Sequence, residues 1–192
     1  GGTNKPNNVT VRASSTQVSS NIVIGLAIGF GGGAASVLVN KFSADTEAYI
    51  DGGSVTASGL AVNASSVNGF FAAAGAGSAG IIGIAGAFVV GLSSDTTKAY
   101  IGDSSQDTTI NVSSALAVSA ISDNTFNSYS IGGSFAGLGA VAGMADATVI
   151  NNTTEARIER ATGTQQSSSV AVNAQETVTI SPTTGAGALA TG

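Results

Sequence analysis

The stretches "TEAYIDG" (46–52), "TKAYIGD" (97–103) and "TEARIER" (154–160) spell one phrase three times, at spacings of 51 and 57 residues. A second phrase recurs in the same frame: "VTVRASS" at 9, "LAVNASS" at 60, "LAVSAIS" at 116 and "VAVNAQE" at 170. Its spacings are 51, 56 and 54 residues. Two separate markers with one period define a repeat architecture, in which single units cannot bury a core alone and must stack. The repeat frame divides the chain into a partial unit 1–45, full units 46–96 and 97–153, and a partial unit 154–192, together one repetitive domain.

Both phrases alternate. Leu60, Val62 and Ala64 share one face, as do Leu116, Val118 and Ala120, and Val170, Val172 and Ala174. Period two is the pattern of a strand with one face in and one face out. In the first phrase Ala48 and Ile50 share the inward face, matched by Ala99 and Ile101 and by Ala156 and Ile158. The expected core rows are therefore Ile50, Ile101 and Ile158, and Val62, Val118 and Val172. Tyr49 and Tyr100 fall on the outer face, as an aromatic pair able to contact a glycan or a neighbouring filament, or to stabilise the surface by stacking.

Long Gly/Ala/apolar runs fill the rest of each unit, at 24–40, 72–93 and 131–152. Residues 69–93 carry no charge and are long enough to cross a bilayer as a helix. Their glycines each cost a helix about 1 kcal/mol relative to Ala, and the flanks are Ser, Asn and Asp rather than aromatic or basic anchors. The runs read instead as strands apolar on both faces and hence covered on both. The expected fold is all-β: a parallel β-solenoid of roughly 54-residue repeats. A unit of that length suggests two coils per repeat.

Composition narrows the function. Charged residues make up 9% of the chain and the net charge is −5, with no cationic cluster to meet a phosphate backbone, so nucleic acid is not an expected partner. The chain has neither His nor Cys, which removes the Ser-His-Asp triad, thiol nucleophiles and the usual zinc ligands. No G-x-S-x-G elbow or phosphate-binding Gly loop with its Lys occurs. No enzyme activity and no cofactor are expected. Asp51 and Asp103 are the candidates for Ca²⁺, but the G-G-x-G-x-D calcium repeat is missing and turn chemistry accounts for both. Glu155, Arg157, Glu159 and Arg160 read as a solvated charged face. The Asn-x-Ser/Thr triplets at Asn8, Asn63, Asn111, Asn151 and Asn152 arise readily in a chain this rich in Asn, Ser and Thr.

The order T-[EK]-A-Y-I, an x-V-x-A-S strand, then a Gly/Ala run resembles the repeats of large secreted bacterial filamentous adhesins. It is similar to the leukotoxin-like filamentous adhesins of the two-partner secretion and autotransporter type. The resemblance covers nearly the whole chain. It implies a right-handed β-helix, an extracellular or cell-surface location, and a stalk role. "GGTNKPNNVT" has no apolar signal segment, and the repeat frame points to a chain already processed or cut from a longer one. The leading expectation is a structural module that self-associates, head to tail through open coil edges or laterally. Its rivals are a binding module for a carbohydrate or another surface and a membrane-inserting toxin segment using the Gly/Ala runs. Ice binding would need ordered ranks of Thr, which Thr108, Thr109, Thr177 and Thr179 do not form.

Overall fold

A computed structural model describes residues 8–103, 107–163 and 169–192. The described residues contain strands and no helix. Three parallel sheets hold them. The long strands β1 (Asn8–Phe42), β4 (Gly59–Ser93), β7 (Ala115–Ile150) and β10 (Ser169–Ala190) pair in the order β1-β4-β7-β10. The short strands β2 (Asp45–Ile50), β5 (Thr96–Ile101) and β8 (Thr153–Ile158) form the second sheet. The third contains β3 (Gly53–Ala57), β6 (Thr108–Val112) and β9 (Ala161–Thr162).

The register follows the repeat residue by residue. Val9 pairs with Leu60, Leu60 with Leu116, and Leu116 with Val170. Equivalent residues of successive units are thus direct neighbours, so each unit contributes one layer. This corrects the expectation of two coils per repeat, which would place a second layer between them. The extra length is taken up within the layer. Asn21 donates from its amide to Asn40 Oδ1 at 3.0 Å, and Ser130 Oγ to the Ala145 carbonyl at 3.2 Å. Residues 19 and 15 positions apart touch only if the long strand folds back on itself. The bend lies near residues 29–32, 80–83 and 136–139, and the β4–β7 register shifts there, between Gly80 and Ile82.

Each layer therefore has two parts. One is a three-sided body in which the start of the long strand faces the two short ones. It encloses Val62, Val118, Ile101, Ile110, Leu116 and their neighbours. The other is a flat blade made of an outgoing and a returning arm of the long strand. Around its base lie Phe42, Phe70 and Phe126, with rings 5.8 and 6.0 Å apart. At the corner between the short strands the chain turns through Gly52 and Gly102, at φ of +72° and +68°, where a side chain would be strained.

The blade overturns a second expectation. Its strands are not covered on both faces. Ile24, Leu26, Ile28, Val37 and Val39 stand outward and exposed, while the residues between them face the opposite arm. A folded-back strand buries only the face between its arms. Among the described residues nothing covers the other.

Candidate interaction surfaces

Ile50, Ile101 and Ile158 lie in one row as direct neighbours in the second sheet. Ile101, in the middle layer, is fully buried, and Ile50 and Ile158 pack against the same core partly buried. Val62 and Val118 are fully buried, but Val172 is 48% exposed. Val172 does pair with Val118, so its place in the row holds. Its burial does not, because β10 is an edge strand with no layer beyond it among the described residues.

The outer face of the second sheet carries two ladders. Tyr49 and Tyr100 stack at 5.1 Å between centroids and 6° between planes, and the Arg157 guanidinium lies 4.8 Å over the Tyr100 ring. Beside them Glu47, Lys98 and Glu155 alternate in sign, with Lys98 Nζ 3.6 Å from Glu47 Oε1. Arg157 is fixed from its side by Glu155 at 2.8 Å. The Tyr100 phenol is held above its ordinary pKa, first by burial of the ring and then by the charges of Glu47, Tyr49, Asp103 and Asp51. The four-residue charged face expected at 155–160 is thus partly recruited: Arg157 caps the aromatic ladder, and Arg160 pairs with Asp107 at 2.8 Å.

Asp51 is exposed at a corner, directly after Ile50, whereas Asp103 follows Ile101 by two positions. The two carboxylates are out of step in the repeat and do not stack. Among the described residues no group of three or more acidic, His or Cys side chains could hold a metal ion.

A buried polar junction separates the body from the blade. Asp95, 2% exposed, accepts from the Ala44 N–H at 2.9 Å, the Asn68 amide at 2.7 Å and Ser93 Oγ at 3.0 Å. The Asn68 amide also reaches Asn124 Oδ1 in the next layer at 2.9 Å. Asn152, next in the row after Asp95, accepts from the Asp95 N–H, and its Oδ1 lies 2.9 Å from Ser93 Oγ, competing with Asp95 for the one hydroxyl proton. A carboxylate so enclosed is tolerable only because donors surround it. Sequence reasoning missed this junction. The available signal was a polar pair, Ser66/Asn68 and Ser122/Asn124, on the inward face of strands that otherwise bury apolar residues.

The blade's outer surface forms the third feature. Gly77, Gly133 and Gly187 stand in one row and floor an apolar groove of about 520 Å³, walled by Leu26, Phe135 and Leu189. No helix in the described residues is long and apolar enough to cross a membrane.

Compared with known proteins, the chain matches no family model, no curated protein and no solved structure.

Proposed function

We propose that this chain is a β-solenoid stalk module of an extracellular or cell-surface filament or adhesin, wound as a right-handed β-helix with one turn per repeat. The observation that carries the reading is the register, which keeps every element of one unit against the same element of the next across the long strands. Such an array grows by adding layers, and each added layer covers the one before it. The hydrogen-bond ladder also runs through the corners between sheets: Thr96 N–H to Ala44 O, and Thr153 N–H to Asp95 O, both at 2.8 Å. Right-handed winding is the usual hand of parallel crossover connections. The resemblance to filamentous adhesin repeats supports the location and the role.

Among the described residues the outer edges of β1 and β10 are unpaired, and Val170 and Val172 stand half-exposed on the last described layer. A further layer of the same spelling, from another copy or from more of the same chain, fits against them. Sedimentation and negative-stain microscopy over a concentration series test this. Stalk behaviour predicts rods that lengthen by end-to-end contact; a compact, concentration-independent particle contradicts it. The aromatic ladder does not favour the glycan-binding reading, because its rings are engaged with each other and with Arg157.

A further inference from the structure

Toward its tip the blade is built inside out. Ser36, Ser78, Ser130 and Ser134 are buried between its arms, together with Leu38, Val89 and, at the base, Phe70 and Phe126. A Cβ added at Gly25 would sit 2.8 Å from the Ala35 carbonyl oxygen, so the arms approach closely there. Apart from Met144, the large apolar residues nearer the tip point the other way. Ile28 is 89%, Phe30 82% and Leu26 78% exposed. Along 22–39, 73–90 and 131–147 every outward position is Gly or apolar. Within those stretches the one charged residue, Asp146, takes an inward position, in the row of Leu38 and Val89. A sheet pair made for water does the reverse, burying its large apolar side chains and turning its hydroxyls out.

Apolar-out, small-and-polar-in is the pattern of strands that face hydrocarbon. Two further facts separate lipid from a protein partner. Both faces are apolar, and a single docked partner covers one. The tip, with Phe30, Ile82 and Leu138 exposed, is as apolar as the faces, which face-to-face pairing of blades leaves in water. Along both arms the backbone is hydrogen-bonded between layers; the register is interrupted at the tip, at Phe30, Ile81, Gly137 and Leu138, and the first and last described layers have open edges. The zone from Ile22 to Phe30 extends about 26 Å at about 3.3 Å per residue, most of the depth of a bilayer's hydrocarbon core. Three layers make each face roughly 400 Å², and the two faces together exceed the largest apolar patch of an ordinary soluble monomer.

We propose that the blade enters a lipid bilayer tip first, with the body and its Tyr49–Tyr100 face remaining in water. The net charge of −5 and the absence of a basic cluster assign the recognition to acyl chains rather than to anionic headgroups. Binding is therefore insensitive to salt.

The chain has no Trp, so single Phe30→Trp, Phe71→Trp and Tyr49→Trp variants report from the tip, the base and the body. Each is mixed with phosphatidylcholine vesicles carrying a quencher either deep in the acyl region or near the headgroup. The tip reporter should shift to the blue and be quenched by the deep label, with the base reporter quenched more by the shallow one. The body reporter should not respond. Ile28→Lys, an outward change that leaves the core intact, should lower vesicle partitioning tenfold or more while the β circular dichroism stays unchanged. Three outcomes overturn the proposal: no vesicle response at the tip, equal quenching at all three sites, or a blue shift that needs protein concentration rather than lipid. The last would assign the blade to contacts between copies.

Discussion

The Tyr49 and Tyr100 rings stack 5.1 Å apart and within 6° of parallel although 51 residues separate them in the chain. That distance is one interstrand spacing, and the separation is one repeat, so one repeat is one layer. The stack also explains why the outer position accepts Arg in the third unit. A guanidinium lies flat on a ring face as readily as another ring does.

Inward and outward residues of this sheet should differ in what they contribute. Ile101→Ala removes a fully buried side chain between two layers and should cost about 2–5 kcal/mol. Tyr100→Ser loses its ring contacts but opens no interior cavity, and should cost about 1 kcal/mol. Urea titrations of both variants check the order.

The polar junction should depend on acceptor capacity at position 95. Asp95→Ala strands the Ala44 N–H in a buried site, worth about 1–3 kcal/mol, and takes one acceptor from the Asn68 amide, which keeps Asn124 Oδ1 and Ser66 Oγ. Asp95→Asn keeps one acceptor oxygen and should recover part of that loss. Thermal unfolding of the two variants side by side provides the comparison.

Blade glycines should fall into two classes. Gly25→Ala pushes a methyl group against the backbone of the returning arm and should destabilise, whereas Gly33→Ala meets nothing within 4 Å and should be neutral or slightly stabilising. Denaturant midpoints of the single variants distinguish the classes.

Raising the pH should weaken the fold at its alkaline end through Tyr100. Its pKa in the folded chain lies above that of the unfolded chain, so the folded state holds the proton more tightly. The associated stability is complete below the ordinary tyrosine pKa near 10 and is lost as pH rises through the higher folded value. Ultraviolet titration of phenolate formation, with Tyr100→Phe as reference, should show Tyr100 ionising later than free tyrosine.

The sequence made the strands of the body legible because their period-two alternation is written in Leu, Val and Ile, and the repeat frame aligned Ile50 with Ile101 and Val62 with Val118. It misled at the blade. The Gly/Ala runs have apolar residues on both faces, and from composition that means burial on both. What decides the matter is the fold-back near residues 29–32, which turns Ser36 and Ser78 inward and Ile24 and Leu26 outward. Gly runs mark no single bend position, so nothing local announced it. The same fold-back hides one long layer inside a repeat that looked long enough for two. Asp95 was obscure for a related reason: its partners Asn68 and Ser93 meet it only once the strand has gone out and returned.

Cysteine cross-linking tests the one-layer repeat most directly, because the chain has no Cys of its own. Glu47 and Lys98 are outward, paired residues of adjacent layers, and Glu155 stands one layer further. Neighbouring strands lie about 4.8 Å apart, within disulfide reach, and strands two layers apart lie about 9.6 Å apart, beyond it. Mild oxidation of the double variant Glu47→Cys/Lys98→Cys should close an intramolecular disulfide, while Glu47→Cys/Glu155→Cys should stay reduced. A Glu47→Cys/Lys98→Cys protein that fails to cross-link while folded would place another layer between these strands and contradict the account.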